Sequence, residues 1–184
     1  CGAFLPIGVG LGKALVSILA PVVLGATRPL LLVPASLRAQ TRQKVIPSMA
    51  QHWRLHSELV VRGYSELSVA SGSGMLEQLA PDLVILDEAH AAKNRSSART
   101  RRLARYLREH PDTVVVAMSG TATKRSILDY WHLLGWCLGP ARMPLPSRWP
   151  DVAVWAAALD EGHPEPAHPG ALEDAFCAAG ESPR

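Results

Sequence analysis

Residues 8–14, GVGLGKA, have the composition of a loop that binds a phosphate chain. Gly10 and Gly12 allow the backbone to turn so that successive N–H groups point into one concavity. A helix that begins at Lys13 would add the partial positive charge of its N-terminus. The Lys13 ammonium would then reach the β and γ phosphates of a bound nucleotide.

This loop departs from the general phosphate-loop pattern at two positions. Ile7 stands where the pattern has its first glycine, and Ala14 stands where it has Ser or Thr. The missing hydroxyl is one that would ligate magnesium directly, and we expect Ser17, one turn later, to lie too far along the helix to replace it. A glycine-rich turn between a strand and a helix remains the alternative interpretation.

A second stretch, LVILDEAHAAKN, is an aliphatic run that ends in two consecutive acids, Asp87 and Glu88. At the carboxyl end of a buried strand, Asp87 would hold a magnesium ion and Glu88 would polarise the attacking water. An ordinary strand followed by an acidic helix start has the same pattern. Because this acidic pair follows a Gly-Lys loop in the same chain, the phosphate-loop and magnesium-site interpretations reinforce each other.

A third stretch, VVVAMSGTAT, ends in small hydroxylated residues around Gly120, namely Ser119, Thr121 and Thr123. Such a strand tip can sense a γ phosphate through hydrogen bonds. The alternative is a helix N-cap, because Thr123 directly precedes a helix-like segment.

The elements that must position these residues alternate between short aliphatic runs and helical patterns, which predicts an open α/β sheet of about five or more mainly parallel strands with helices on both faces. The predicted strands are Ala3–Ile7, Pro29–Val33, Glu58–Arg62, Asp82–Leu86 and Thr113–Met118. The predicted helices are Lys13–Leu24, kinked or shortened by Pro21, then Leu37–His52, Gly74–Leu79, Ser97–His110 and Lys124–Leu138.

In this order the three stretches resemble motifs I, II and III of superfamily 2 helicases and translocases, and most closely those of the Snf2-like branch. LLLVPASLRAQT resembles motif Ia, and VVRGYSELS is loosely similar to the segment near motif Ib. The resemblance covers about residues 1–140 and implies a RecA-like P-loop NTPase lobe. Residues 141–184 would then be a linker and the start of the connection to a second RecA-like lobe.

The resemblance implies a role for individual residues of this chain, with ATP and Mg²⁺ as cofactors. Asp87 would bind the magnesium ion. Lys13 would bind the phosphates, and Glu88 would polarise the attacking water; these three are the catalytic candidates. The ATP-binding loop would consist of Gly10, Leu11, Gly12, Lys13 and Ala14.

Two further groups follow from the same resemblance. His90 would couple the nucleotide site to Ser119, Gly120 and Thr121 of motif III. Pro34, Ala35 and Ser36 would lie against a nucleic-acid backbone, and duplex DNA is the expected partner.

Composition limits the possible classes of protein. The hydrophobic fraction of 48% fits a globular chain, and its apolar runs are too short for a membrane span. Residues 1–150 carry 18 of the 19 Lys and Arg, and residues 151–184 carry 7 of the 16 acids. A basic body with an acidic tail fits a polyanionic partner or, equally, a mixed solvated surface. Three widely spaced cysteines favour a reducing cytoplasm over a disulfide framework.

Three functions remain open on the sequence. The first is the ATP-binding lobe of a Snf2-like DNA translocase, with this chain an excerpt of a longer protein. The second is a non-catalytic module that binds nucleotide, DNA or protein, which Ala14 favours. The third is the motor segment of a restriction enzyme, which uses the same motifs.

Overall fold

The computed structural model describes residues 2–8, 10–120 and 126–160, and these contain one sheet of five parallel strands. The strands are β1 (Ala3–Leu5), β2 (Pro29–Val33), β3 (Val60–Gly63), β4 (Leu83–Leu86) and β5 (Val114–Met118). All five predicted strands are confirmed, with small differences at their ends. The predicted α/β class is also confirmed, and the architecture is consistent with a RecA-like fold.

The order of strands across the sheet is β1-β5-β4-β2-β3. Strand β5 therefore separates β1 from β4, and β2 pairs with β4 on the other side. Because every strand is parallel, their carboxyl ends meet at one edge. The glycine-rich loop after β1, Ser119 after β5, Asp87 after β4 and Pro34 after β2 follow one another along that edge.

The sheet is buried on both faces, which explains why its strands read as unbroken aliphatic runs. Alternate residues of β2 belong to different clusters: Leu30 and Leu32 to one face, Leu31 and Val33 to the other. The helices that cover the first face are α4 (Met75–Leu79), α5 (Ala98–Glu109) and α6 (Trp131–Leu138). On the second face, side chains from α1 (Lys13–Val23) and α3 (Ile46–Ala50) pack against the strands.

Two predicted helices are interrupted. The predicted Leu37–His52 helix consists of α2 (Ala35–Gln40), a π-helical segment over Thr41–Val45, and α3. Pro47 explains the interruption, because it has no N–H to donate and its ring would clash with the carbonyl four residues earlier. Pro21, in contrast, is buried inside α1, which continues to Val23.

The predicted Lys124–Leu138 helix is a 3₁₀ turn, Ile127–Asp129, followed by α6; Lys124 and Arg125 lie outside the described residues. Further along the chain lies α7 (Trp149–Leu159). Its Val152 and Ala156 are fully buried. The division of the chain at residue 140 stays a prediction.

Candidate nucleotide site at the carboxyl edge of the sheet

The glycine-rich loop has the conformation that its glycines permit. Gly10 has φ 80° and Gly12 has φ 88°, in the left-handed region that favours glycine. A Cβ atom built on either residue would meet no other atom within 4 Å. The space beside both glycines is therefore open, and a phosphate chain could approach the backbone there. Leu11 between them is 74% exposed.

Ala14 lies in the first turn of α1, so no side-chain hydroxyl projects from the position after Lys13. The Ser17 hydroxyl donates a hydrogen bond to the Ala14 carbonyl over 3.0 Å, and Ser17 is 2% exposed. The Ser17 hydroxyl is thus buried and turned back onto the helix, in agreement with the expectation that it does not replace the missing ligand.

The structure joins the first and second stretches through one ion pair. The Lys13 ammonium donates to Glu88 Oε1, across 75 positions of sequence. Both side chains are largely shielded, with 11% of Lys13 and 21% of Glu88 exposed. The two residues that sequence analysis assigned to the phosphates and the water are therefore in direct contact.

Glu88 has an unusual backbone conformation, with φ 50° and ψ 57°. A left-handed residue other than glycine costs about 1–2 kcal/mol and persists only where surrounding contacts hold it. Here the residue ends the turn between β4 and a 3₁₀ segment, Ala89–Ala92. Strain of this kind concentrates at ligand-binding and catalytic positions.

The backbone N–H and carbonyl of Asp87 are both hydrogen-bonded. Its N–H donates to the Leu32 carbonyl over 2.9 Å, and its carbonyl accepts from the Tyr64 hydroxyl over 3.1 Å. Burial raises the pKa of the Asp87 carboxyl, and the neighbouring Glu88 charge raises it further, against the opposing effect of Lys13. A carboxylate with excess negative charge around it is suited to bind a cation.

Tyr64 is a site residue that sequence analysis did not identify. Its side chain is 1% exposed. Burial raises its pKa well above the usual value, and the charges of Asp87 and Glu88 act in the same direction. The hydroxyl therefore remains protonated and donates to Asp87. The only signal in the sequence is its place in VVRGYSELS, at the end of a strand.

His90 and Ser119, predicted to couple the site to motif III, lie on separate loops of the same edge. His90 Nδ1 is 3.3 Å from Glu88 Oε2, which brings the imidazole to the general-base candidate. Ser119 is 1% exposed, and its backbone N–H donates to Leu5 O over 3.3 Å. Gly120 follows it, while Thr121 and Thr123 lie outside the described residues. The coupling itself stays a prediction.

Pro34, Ala35 and Ser36 lie where β2 ends and α2 begins, and Ala35 and Ser36 are exposed. Beside them is a groove of about 530 Å³. Its lining residues are Ala35, Arg38, Ala39, Arg42 and Gln43.

The charges of that groove are partly neutralised. Arg38 donates to Glu66 Oε1 over 2.8 Å. Arg42 is exposed on the adjoining turn and lines a second groove with Arg62 at the β3 edge of the sheet. The surface next to Pro34–Ser36 therefore carries the exposed Arg42 in addition to the paired Arg38.

In the arginine-rich segment after Glu88, Arg102 has structural contacts. Helix α5 begins at Ala98 with Ser97 as its N-cap, so Arg95 precedes the helix and Arg102 lies on it. Arg102 donates to the carbonyls of Leu67 and Val69 over 2.7 and 2.6 Å. These bonds attach α5 to the segment after β3.

His52 and His56 are spaced i, i+4, and both ring nitrogens of His56 lie close to backbone atoms. His56 Nε2 lies 2.8 Å from the Ala26 carbonyl, and His56 Nδ1 accepts from the Glu58 N–H. Across residues 2–8, 10–120 and 126–160 there is no group of three His, Cys, Asp or Glu that could ligate a metal. Asp87 would thus need ligand or water oxygens to complete a magnesium shell.

Comparison with protein-family models and with curated protein sequences finds no match to this chain. The family resemblance therefore depends on the motifs and on their arrangement. In the part of the chain that the structure describes, no helix has the length and apolarity needed to cross a membrane.

Proposed function

We propose that this chain is the first, ATP-binding RecA-like lobe of a Snf2-like helicase or translocase that couples ATP hydrolysis to movement on duplex DNA. The observation that carries the proposal is the contact between Lys13 and Glu88. It brings the residue next to the open glycine-rich loop together with the acidic pair after β4. Such convergence is what phosphoryl-transfer sites require, since positioning and charge supply most of their catalysis.

The residues present fit a triphosphate better than they fit its metal. Gly10 and Gly12 leave room for phosphates, and Lys13 is the cation that would bind them. Asp87 would hold Mg²⁺, which favours its ionised form and offsets the effect of Glu88. Bound MgATP would supply the phosphoanhydride bond. Glu88, released from Lys13, would orient a water molecule and accept its proton.

The proposed partners are duplex DNA and a second RecA-like lobe, in a cytoplasmic setting without a membrane. The basic groove along Arg38 and Arg42, continuous with Pro34–Ser36, supports a contact with a phosphate backbone. The second lobe would supply the arginine fingers that stabilise transition-state charge. We therefore expect the chain alone to hydrolyse little ATP with or without DNA, and rapid turnover would contradict the need for that lobe.

The test is calorimetric titration of ATP with Mg²⁺ into the chain, next to the Lys13→Ala variant. Loss of one charge-assisted contact should weaken binding by about 10- to 100-fold. Circular dichroism checks that the variant is folded. Equal affinity of the two proteins, or no binding by either, would contradict a phosphate site at this loop.

A second function, a nucleotide-binding module without catalysis, is favoured by one observation. Ala14 has no hydroxyl, and the hydroxyl of Ser17, one turn later, donates to the Ala14 carbonyl. In that case ATP would bind with little dependence on magnesium.

The variants Ala14→Thr and Ala14→Val separate these two functions, because Thr and Val have nearly the same shape and only Thr has a hydroxyl. If the missing ligand limits the site, Ala14→Thr alone gains affinity when Mg²⁺ is present. The same change in both variants, or no change with magnesium, would contradict this role for position 14.

A further inference from the structure

Arg95, in the loop between motif II and α5, lies between two tryptophans. Its guanidinium carbon is 4.1 Å from the centroid of the Trp149 ring and 5.1 Å from that of Trp131. The two rings contact each other edge to face, with centroids 5.5 Å apart. Trp131 also donates its indole N–H to the Pro146 carbonyl over 2.7 Å. We call these three side chains the arginine–tryptophan clamp.

The same loop is attached to the same region at two further points. Lys93 pairs with Asp129 over 3.4 Å, and His132 Nε2 is 2.9 Å from the Ala92 carbonyl. Burial lowers the pKa of His132, so its ring is neutral near pH 7 and donates through Nε2. Three separate contacts therefore connect the loop after Glu88 with the 3₁₀ turn, α6 and α7.

These contacts lie at the end of a short and strained connection. Glu88 is left-handed, and the turn after it is closed by hydrogen bonds from the N–H groups of Ala91 and Lys93 to the carbonyls of Glu88 and His90. A strained residue keeps its conformation only where its surroundings hold it. Arg95 lies two residues beyond Lys93, where this turn ends. The clamp therefore attaches the connection to α6 through Trp131 and to α7 through Trp149.

We propose that Arg95 is a positioning residue: through Trp131 and Trp149 it fixes the turn that orients the Glu88 carboxylate, and it links that turn to α7. The link to nucleotide binding rests on the proposed function, whereas the mechanical link does not. Movement of α7 would then change the geometry of Glu88, so the position of α7 would affect the site.

The mechanical link is tested by hydrogen exchange of the backbone amides of Ala91 and Lys93. In Arg95→Ala we expect both amides to exchange about two- to five-fold faster, since a partly exposed cation–π contact is lost. Amides of β4 should exchange at the rate of the unchanged protein. Arg148→Ala is the matched control, because Arg148 is 77% exposed beside Trp149 and its guanidinium is 4.0 Å from Asp151.

Further variants separate positioning from general stability. Trp149→Ala should give the same local acceleration, Trp149→Phe should give less, and Arg95→Lys should restore most of the protection. Because Arg95 is exposed, its replacement leaves the core intact. Unchanged exchange at Ala91 and Lys93 in Arg95→Ala, or equal acceleration in β4, would overturn the proposal.

A second measurement distinguishes this inference from the proposed function. ATP affinity is measured for the unchanged chain and for Arg95→Ala, and we expect weaker binding by the variant. If the unchanged chain does not bind ATP, the proposed function fails while the exchange result still decides the mechanical link. If both bind equally although exchange is faster, the turn moves without affecting the nucleotide, and positioning of the site by Arg95 is overturned.

Discussion

The two ends of strand β4 each have an aspartate, and the surroundings of the two carboxylates are opposite. Asp82, before the strand, accepts hydrogen bonds from the Thr27 N–H and hydroxyl, both over 2.6 Å, and from the Arg28 N–H over 2.9 Å. Burial acts to raise the pKa of Asp82, but these bonds outweigh it and lower the pKa. Asp87, after the strand, accepts a hydrogen bond from the Glu88 N–H over 3.1 Å, but burial and the adjacent Glu88 charge still raise its pKa. The Asp82 carboxylate is stabilised by hydrogen bonds from Thr27 and Arg28, whereas the Asp87 carboxylate is suited to bind a cation.

The two ends of β4 can also be compared by their backbone conformation. The left-handed residues other than glycine in the described part of the chain are Ala80 and Glu88, which flank β4 at φ 42° and φ 50°. Ala80 terminates α4, and nothing in its methyl side chain needs that conformation. At Glu88 the conformation accompanies a carboxylate that contacts Lys13 and approaches His90. The strained residue before β4, Ala80, has no side-chain role, whereas the strained residue after it, Glu88, belongs to the candidate site.

The largest difference in the free energy of unfolding is expected between two variants that remove the Asp82 and Asp87 carboxylates separately. Asp82→Ala should lower the free energy of unfolding by about 1–2 kcal/mol, since three hydrogen bonds to a partly exposed charge are lost. Asp87→Ala should change it little, because loss of the hydrogen bond from the Glu88 N–H is offset by relief of burial and of repulsion from the Glu88 charge. Urea unfolding measures both, with exposed Asp112→Ala as the control. Equal losses at the two positions would contradict the contrast.

The same contrast should appear in the pH dependence of stability. The folded pKa of Asp82 is lowered, so its contribution is present above the unfolded value of about 3.9 and is lost as the pH falls through the folded pKa. The folded pKa of Asp87 is raised, so its ionised form destabilises, and that effect is relieved as the pH falls towards about 3.9.

Unfolding at a series of pH values, with Asp82→Asn and Asp87→Asn as comparison proteins, checks both signs. Asp82→Asn should be less sensitive to acid than the unchanged chain, and Asp87→Asn should not gain stability on mild acidification. A reversed sign for either variant would mean that the carboxylate interacts differently from what its contacts indicate.

Strain at Glu88 can be separated from the charge by comparing two variants that both lose the contact with Lys13. Glu88→Gly should be more stable than Glu88→Ala by about 1 kcal/mol, because only alanine pays for the left-handed backbone. Chemical denaturation of the pair measures the difference. If alanine proved equal or better, the turn would have relaxed once the carboxylate was removed.

The smallest effect is expected at the other end of the strand. Ala80→Gly should raise the free energy of unfolding by about 0.5–1 kcal/mol, because glycine adopts the helix-terminating conformation without strain. Ala104→Gly inside α5 is the control and should lose about 1 kcal/mol. A loss at both positions would show that Ala80 is not strained.

Much of the architecture was predictable because aliphatic runs such as Pro29–Val33 and Thr113–Met118 have one clear interpretation: strands buried on both faces. The interruptions of the helices were less predictable, although Pro47 in the sequence marks the irregular turn before it. The start of α5 was predictable, since Ser97 is a typical N-cap and is the first residue of the predicted helix. Tyr64 was not accessible, because a buried aromatic at the end of a strand has the same sequence signal as any core residue.

The sequence by itself determined which residue types stand after each strand: glycines and Lys13 after the first, Asp87 and Glu88 after the fourth. It also determined the parallel sheet that brings those ends to one edge. The tertiary structure alone decided that Lys13 pairs with Glu88, that Glu88 is left-handed, and that Asp82 is held by hydrogen bonds from Thr27 and Arg28 while Asp87 is desolvated beside Glu88. The physical reason is that these are properties of distance and desolvation between distant segments, and a local pattern of residues contains neither.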